Sequence, residues 1–162
     1  MRVLGIDPSI RCTGYGIIEL VAKKPRAVAF GSIPVPARVS QGPALLEIVR
    51  VLRGVIGEHR PDEAAMEAII YAQSLKTAIV MGSARGAVLV AVAEAGLPLV
   101  EYPSRLVKKA ATGFGAAQKA QVGFMMRAML GLTSTPQADA ADALAVALTH
   151  LQHRQSRKAD GR

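Results

Sequence analysis

The feature that most constrains this chain is an apolar segment cut short by an aspartate and a proline. Residues 2–6 (RVLGI) read as a strand that stops at Asp7-Pro8, because proline has no N–H with which to continue a ladder. Two more strand-like segments follow at 13–20 (TGYGIIEL) and 26–35 (RAVAFGSIPV), near enough in sequence for an antiparallel meander with the first. The pattern then changes period. From Ala44 to His59 the apolar residues Leu45, Ile48, Val49, Leu52 and Ile56 fall at helical spacing, and Arg60-Pro61 ends the helix. A strand leading to Glu67 and on into Ala68, Ile69 and Ile70, a helix over 75–95, a strand over 97–102 and helices over 104–111, 117–131 and 136–152 complete the order. Thr135-Pro136 serves as the start signal of the last helix. Three strands followed by alternating helices and strands predict an α/β fold: a mixed five-stranded sheet with helices on both faces. Sites in open sheets gather at the ends of central strands, which singles out Asp7 and Glu67.

Composition agrees with a packed α/β domain. Apolar residues make up 51% of the 162-residue chain and aromatics only 4%, so the interior is Ala, Val, Ile and Leu. A lone cysteine, Cys12, forms no internal disulfide. No signal-peptide pattern and no uninterrupted apolar run of about 18 residues is seen, which predicts a cytoplasmic chain with no membrane partner. The nine residues from Arg154 carry no apolar side chain larger than that of Ala159, so the domain is expected to span 1–153 and a disordered basic tail 154–162. Twenty Lys and Arg against twelve Asp and Glu give a net charge of +8 and point to a polyanionic partner.

Four acids stand out against that basic background. Singly, each has an ordinary explanation: Asp7 opens a turn, Glu67 points to solvent from a strand end, and Asp139 favours the positive end of a helix dipole. Asp142 has no such explanation on its Ala-rich helix. Asp139 and Asp142 are spaced i, i+3 and share a helix face. If that face meets the sheet, four carboxylates share one place, which a chain tolerates when divalent cations oppose them. Oxygen-only ligands suit Mg²⁺ or Mn²⁺ rather than zinc. The three histidines, His59, His150 and His153, have no zinc-ligand spacing and are expected at the surface. GFGA at 113–116 lacks the Lys and Ser/Thr of a phosphate loop, and Val122, Met125, Met126 and Met129 form a helical stripe for the core or a dimer face.

The segments GIDPSIRCTGYGII (5–18), AMEAIIYAQS (65–74), SARGAVLVAVAE (83–94) and PQADAADALAVALTH (136–150) together resemble the RuvC family of Holliday junction resolvases. The resemblance implies a ribonuclease H-like fold and a homodimer that takes an opened four-way DNA junction as substrate. It implies an endodeoxyribonuclease with paired, nearly symmetric nicks leaving 5′-phosphate and 3′-hydroxyl ends, in recombination and repair, alongside a branch-migration motor complex. Carried over residue by residue, its catalytic and metal-binding carboxylates fall on Asp7, Glu67, Asp139 and Asp142, expected to hold two Mg²⁺ or Mn²⁺ ions per subunit. Its backbone-binding lysines fall on Lys108 and Lys119; Lys76, Arg85 and Lys109 are further basic candidates for DNA contact. Two positions depart from the family pattern. Ser9 replaces a glycine after Asp-Pro, and the family's wedge aromatic is replaced by Ile70 with Tyr71 beside it, leaving an aliphatic wedge or a stacking tyrosine as alternatives. Two rival readings are an actin-like ATPase half-domain and a junction-binding module without catalysis.

Overall fold

A computed structural model describes residues 1–69 and 74–159. Strands β1 (Arg2–Asp7), β2 (Cys12–Val21) and β3 (Lys24–Pro34) form the expected meander, followed by α1 (Gln41–His59), β4 (Glu63–Glu67), α2 (Leu75–Glu94), β5 (Leu99–Tyr102), α3 (Ser104–Thr112), α4 (Lys119–Leu130) and α5 (Ala138–Ala159). The sheet order is β3-β2-β1-β4-β5. β1 pairs antiparallel with β2 and parallel with β4, so the sheet is mixed.

Both faces of the sheet are covered, which is why its central strands are apolar almost without interruption. Leu4, Ile6, Ile17, Ala64 and Met66 point to α1 and α2, where they meet Ile48, Leu52, Ala84 and Val88. Val3, Ile18 and Ala65 point the other way, to Val107, Val122, Met126, Leu144 and Leu148 of α3, α4 and α5. Each fully buried Leu or Ile contributes about 1.5–3 kcal/mol by leaving water. Because side chains alternate along a strand, Glu63, Ala65 and Glu67 share the α5 face of β4, and Val3, Gly5 and Asp7 share the α5 face of β1. This parity aims both strand-end acids at the last helix.

α5 lies on the sheet at backbone contact. A Cβ added at Gly14 would stand 2.0 Å from the Asp139 carbonyl oxygen, and one added at Gly5 would stand 2.0 Å from that of Ala143. Only glycine permits so close an approach. Gly14 is also the register partner of Asp7, so one residue joins the end of β1 to the start of α5.

Several expectations are corrected. α5 begins at Ala138, two residues after Pro136, and its first turn closes with Ala141 N–H donating to the Gln137 carbonyl at 2.8 Å. It then passes the expected tail boundary at residue 153 and continues to Ala159, since Gln, Arg, Ser, Lys and Ala all sustain a helix without an apolar stripe. His150 is not at the surface: it is 1% exposed, because α5 turns that position toward the sheet. α4 begins at Lys119 under a reciprocal cap between Gln118 and Gln121. Met126 of the methionine stripe is fully buried, with Met125 and Met129 packed against the same core. Finally, α2 is by length and mean hydropathy apolar enough to cross a membrane, although Lys76 and Arg85 break its apolar run. Ala84, Ala87, Val88, Ala91 and Val92 bury one side of it within this fold.

Candidate active site

Asp7 ends β1, Glu67 ends the adjacent parallel strand β4, and Asp139 and Asp142 occupy the first turns of α5 above them. The turn after Asp7 is held by Thr13, fully buried, whose hydroxyl donates to the Ser9 carbonyl at 2.6 Å and accepts from the Ser9 N–H at 3.2 Å. Ser9 thus shapes the turn through its backbone, and no carboxylate depends on its side chain. Asp7, Glu67, Arg85 and Ser104 line one cleft together with Met81 and Ile69.

The electrostatics tie all four acids together. Burial is the main reason that the Asp7 carboxyl is raised to about 7. Repulsion by Asp142 comes next, partly offset by Lys119, and Glu67 and Asp139 add weaker repulsion. Glu67 is raised as well, first by burial, while the Ser104 side chain, Lys108 and Lys119 pull it down. Lys119 Nζ lies 3.0 Å from Asp142 Oδ2, and this bond is the chief cause of the raised Lys119 ammonium. The Lys119 ammonium thus offsets part of the repulsion among the acids. Among the described residues, no three carboxylates close into a ready metal cage. The donor set is nonetheless all carboxylate oxygen, which suits a hard divalent ion.

The other candidates divide. Lys108 is half-buried and, like Lys119, acts on Glu67. Lys76 and Lys109 are exposed, on the first turn of α2 and the last turn of α3. Arg85 lines the cleft but pairs with Glu101. Ile70 and Tyr71 lie outside the described residues. Two neighbours were not anticipated. Ser104, the first residue of α3, lies beside Glu67 and lowers its carboxyl. Cys12 stands beside Asp139, its thiol pushed up by partial burial and then by that carboxylate. The seating of α5 on the start of β2, which no motif encodes, would have been needed to find Cys12.

A second polar group lies at the far end of the same strand. Glu63 accepts from His150 Nε2 at 2.5 Å and pairs with Arg154, while His150 Nδ1 stands 2.9 Å from the Tyr102 hydroxyl. With Nε2–H donating to Glu63 and Nδ1 accepting from Tyr102, every partner is satisfied.

Comparison with known proteins fits this arrangement. The family model described as crossover junction endodeoxyribonuclease RuvC matches residues 3–150. A protein of that description from Akkermansia muciniphila is 52% identical over 151 residues, covering 93% of this chain and 90% of the relative. One from Syntrophomonas wolfei is 44% identical, covering 93% and 88%. The structure of T. thermophilus RuvC in complex with a Holliday junction substrate superposes with a TM-score of 0.89 at 35% identity, covering 96% of each chain. The yeast mitochondrial Holliday junction resolvase, at 13% identity and a TM-score of 0.62, shares the fold. The sheet and its flanking helices are thus the ribonuclease H-like arrangement, and the chain belongs to the RuvC family of crossover junction endodeoxyribonucleases.

Proposed function

We propose that this chain resolves four-way DNA junctions by metal-dependent hydrolysis, with Asp7, Glu67, Asp139 and Asp142 as the catalytic carboxylates. The supporting observation is that acids carried by three separate elements act on Asp7, which is raised to about 7 by burial and by the other three acids. Such mutual repulsion is costly without a cation to share, and it has no use in a simple binding module. Two Mg²⁺ or Mn²⁺ ions are the expected cofactors, held by Asp7, Glu67, Asp139 and Asp142. When bound, such ions lower the pKa of a water and stabilise a departing 3′ oxygen, giving 5′-phosphate and 3′-hydroxyl ends. The chain itself supplies the scaffold. Parallel β1 and β4 set Asp7 and Glu67 side by side, Ser104 orients Glu67, and Lys119 and Lys108 offer cations to the DNA backbone beside the cleft.

A homodimer is proposed on a separate observation. Leu75 is 78% exposed on α2, Ile79 57% and Val90 49%, an apolar stripe that also carries the open glycines Gly82 and Gly86. A stripe of that kind fits a second copy of the helix, which would place two clefts for paired nicks. The remaining parts of the reading are a cytoplasmic location, a role in recombination and repair, and work alongside a branch-migration motor complex. The basic residues Lys76 and Lys109, and Ile70 or Tyr71 near the crossover, are proposed as further DNA contacts. The ATPase half-domain is disfavoured by family membership.

The test is cleavage of a synthetic four-way junction against duplex controls, with Mg²⁺ or Mn²⁺ and with chelator. Wild-type protein should nick the junction only with metal. Asp7→Asn should bind it and leave it intact. Duplex cutting at the same rate, or turnover by Asp7→Asn, would overturn the assignment.

A further inference from the structure

We propose that Phe114 and Phe124 form a stacking platform for an unpaired nucleobase of the DNA substrate, a binding site separate from the carboxylate cleft. The inference rests on the DNA-processing reading above. Aromatics are scarce in this chain, yet Phe114 is 65% exposed and Phe124 62% exposed, and both border one apolar hollow with Ala117, Ala120 and Met125. Leaving two phenylalanines in water forfeits most of the burial that such side chains offer, so a ligand that covers them gains it back.

The platform is preformed. Gly113 ends α3 in the left-handed region (φ 79), its N–H donating to the Lys109 carbonyl at 2.8 Å. Thr112 Oγ1 accepts from the Phe114 N–H at 3.1 Å and donates to the Lys108 carbonyl at 2.8 Å. The loop that displays Phe114 is therefore fixed before any ligand arrives, which lowers the entropy lost on binding.

Charge decides what the ligand is. Phe114 is the wall between the apolar hollow and a second, basic hollow that contains Arg105, Lys108 and Lys109. On the far side, Lys119 begins the helix that carries Phe124 and reaches Asp142 in the cleft. A surface with aromatic faces between cations matches a strand whose phosphates bind the cations while a base lies on the rings. Paired bases hide their faces in the duplex stack, so the site selects an opened strand, as at a crossover. Its position places that base on the α3–α4 side of the scissile phosphate, away from the residues that follow β4.

The experiment uses the full chain with a four-way junction carrying 5-iodouracil near the crossover. Wild-type protein should form a photo-adduct at Phe114 or Phe124. Replacing both by Ala should weaken junction binding roughly fivefold to a hundredfold, the equilibrium equivalent of one lost base stack, with an unchanged salt slope and melting temperature. Phe114→Leu, which keeps apolar bulk without a ring, should remain weak and adduct-free at that residue. Wild-type affinity in the double variant, or full binding by Phe114→Leu, overturns the platform while leaving junction cleavage intact. A change in sedimentation mass with unchanged DNA affinity assigns the patch to protein contact and overturns it as well. Failure of the wild-type chain to bind junctions would instead defeat the underlying DNA reading.

Discussion

Glu63 and Glu67 sit on the same strand and the same face, yet they meet opposite fates. Glu63 finds His150 and Arg154 on α5 and is satisfied. Glu67, at the other end, finds Asp7 and Asp142, with Ser104 and two lysines as partial compensation. The spacing explains the pairing: four strand residues span about 13 Å and eight helix residues about 12 Å, so antiparallel β4 and α5 bring Glu63 to His150 as Glu67 comes to Asp142. One helix thus anchors itself at one end and at the other presents carboxylates crowded by like charge, which Lys119 offsets only in part. The fold satisfies its charges at the Glu63 end and crowds like charges at the end proposed for catalysis.

The sharpest way to break this contrast is to exchange charge for amide at each end. Glu67→Gln should lower junction cleavage roughly a hundredfold or more, beyond what loss of a mere supporting partner of a metal ligand costs. Glu63→Gln should leave cleavage within a few-fold and lower the melting temperature instead, and equal loss of cleavage would erase the distinction. Next in size, His150→Ala strips a buried partner from both Glu63 and Tyr102. It should cost about 1–3 kcal/mol in urea unfolding. No loss of stability would deny the anchor.

pH separates the two ends further. Asp7 has a folded-state pKa of about 7 against an ordinary value of 3.8, so the native chain holds its proton more tightly than the unfolded chain does. Protonation therefore favours the fold. In metal-free buffer the urea midpoint should fall as pH rises from about 4 to about 7 and stay low above that range, as the native chain loses its extra proton. Asp7→Asn should flatten this dependence, and divalent ions should restore the midpoint at pH 8. A wild-type midpoint that rises over that window would contradict the repulsion. Smallest in effect, Lys119→Ala should weaken junction binding and reduce the salt slope by about one unit. An unchanged slope would confine Lys119 to its bond with Asp142.

The sequence reveals the end with charge better than the end with partners. Asp7-Pro8 and the ADAAD repeat mark the carboxylates because each breaks an apolar pattern, and the β-β-β-α-β-α-β order carries the sheet. His150 is invisible by comparison, since burial of a histidine depends on a glutamate 87 residues away. Helix ends are also poorly legible. Thr135-Pro136 looks like a start, but the chain needs two more residues to approach the sheet before α5 closes its first turn. The tail resembles loop by polarity, although its helix propensity is ample. Cys12 and Ser104 enter the site through the seating of α5 on β2 and through the start of α3 beyond β5, which local sequence does not encode.

The glycines beneath α5 give this enzyme an unusual sensitivity. At Gly14 a single methyl group would press on the main-chain oxygen of Asp139. The smallest possible side chain there would prise the helix away from β1 and β2, and with it the two aspartates it carries. In a collection of natural variants, chemical mildness would be a poor guide at this spot. An alanine at position 14 should be rarer than a lysine at many surface sites, because what is inherited there is an absence of atoms.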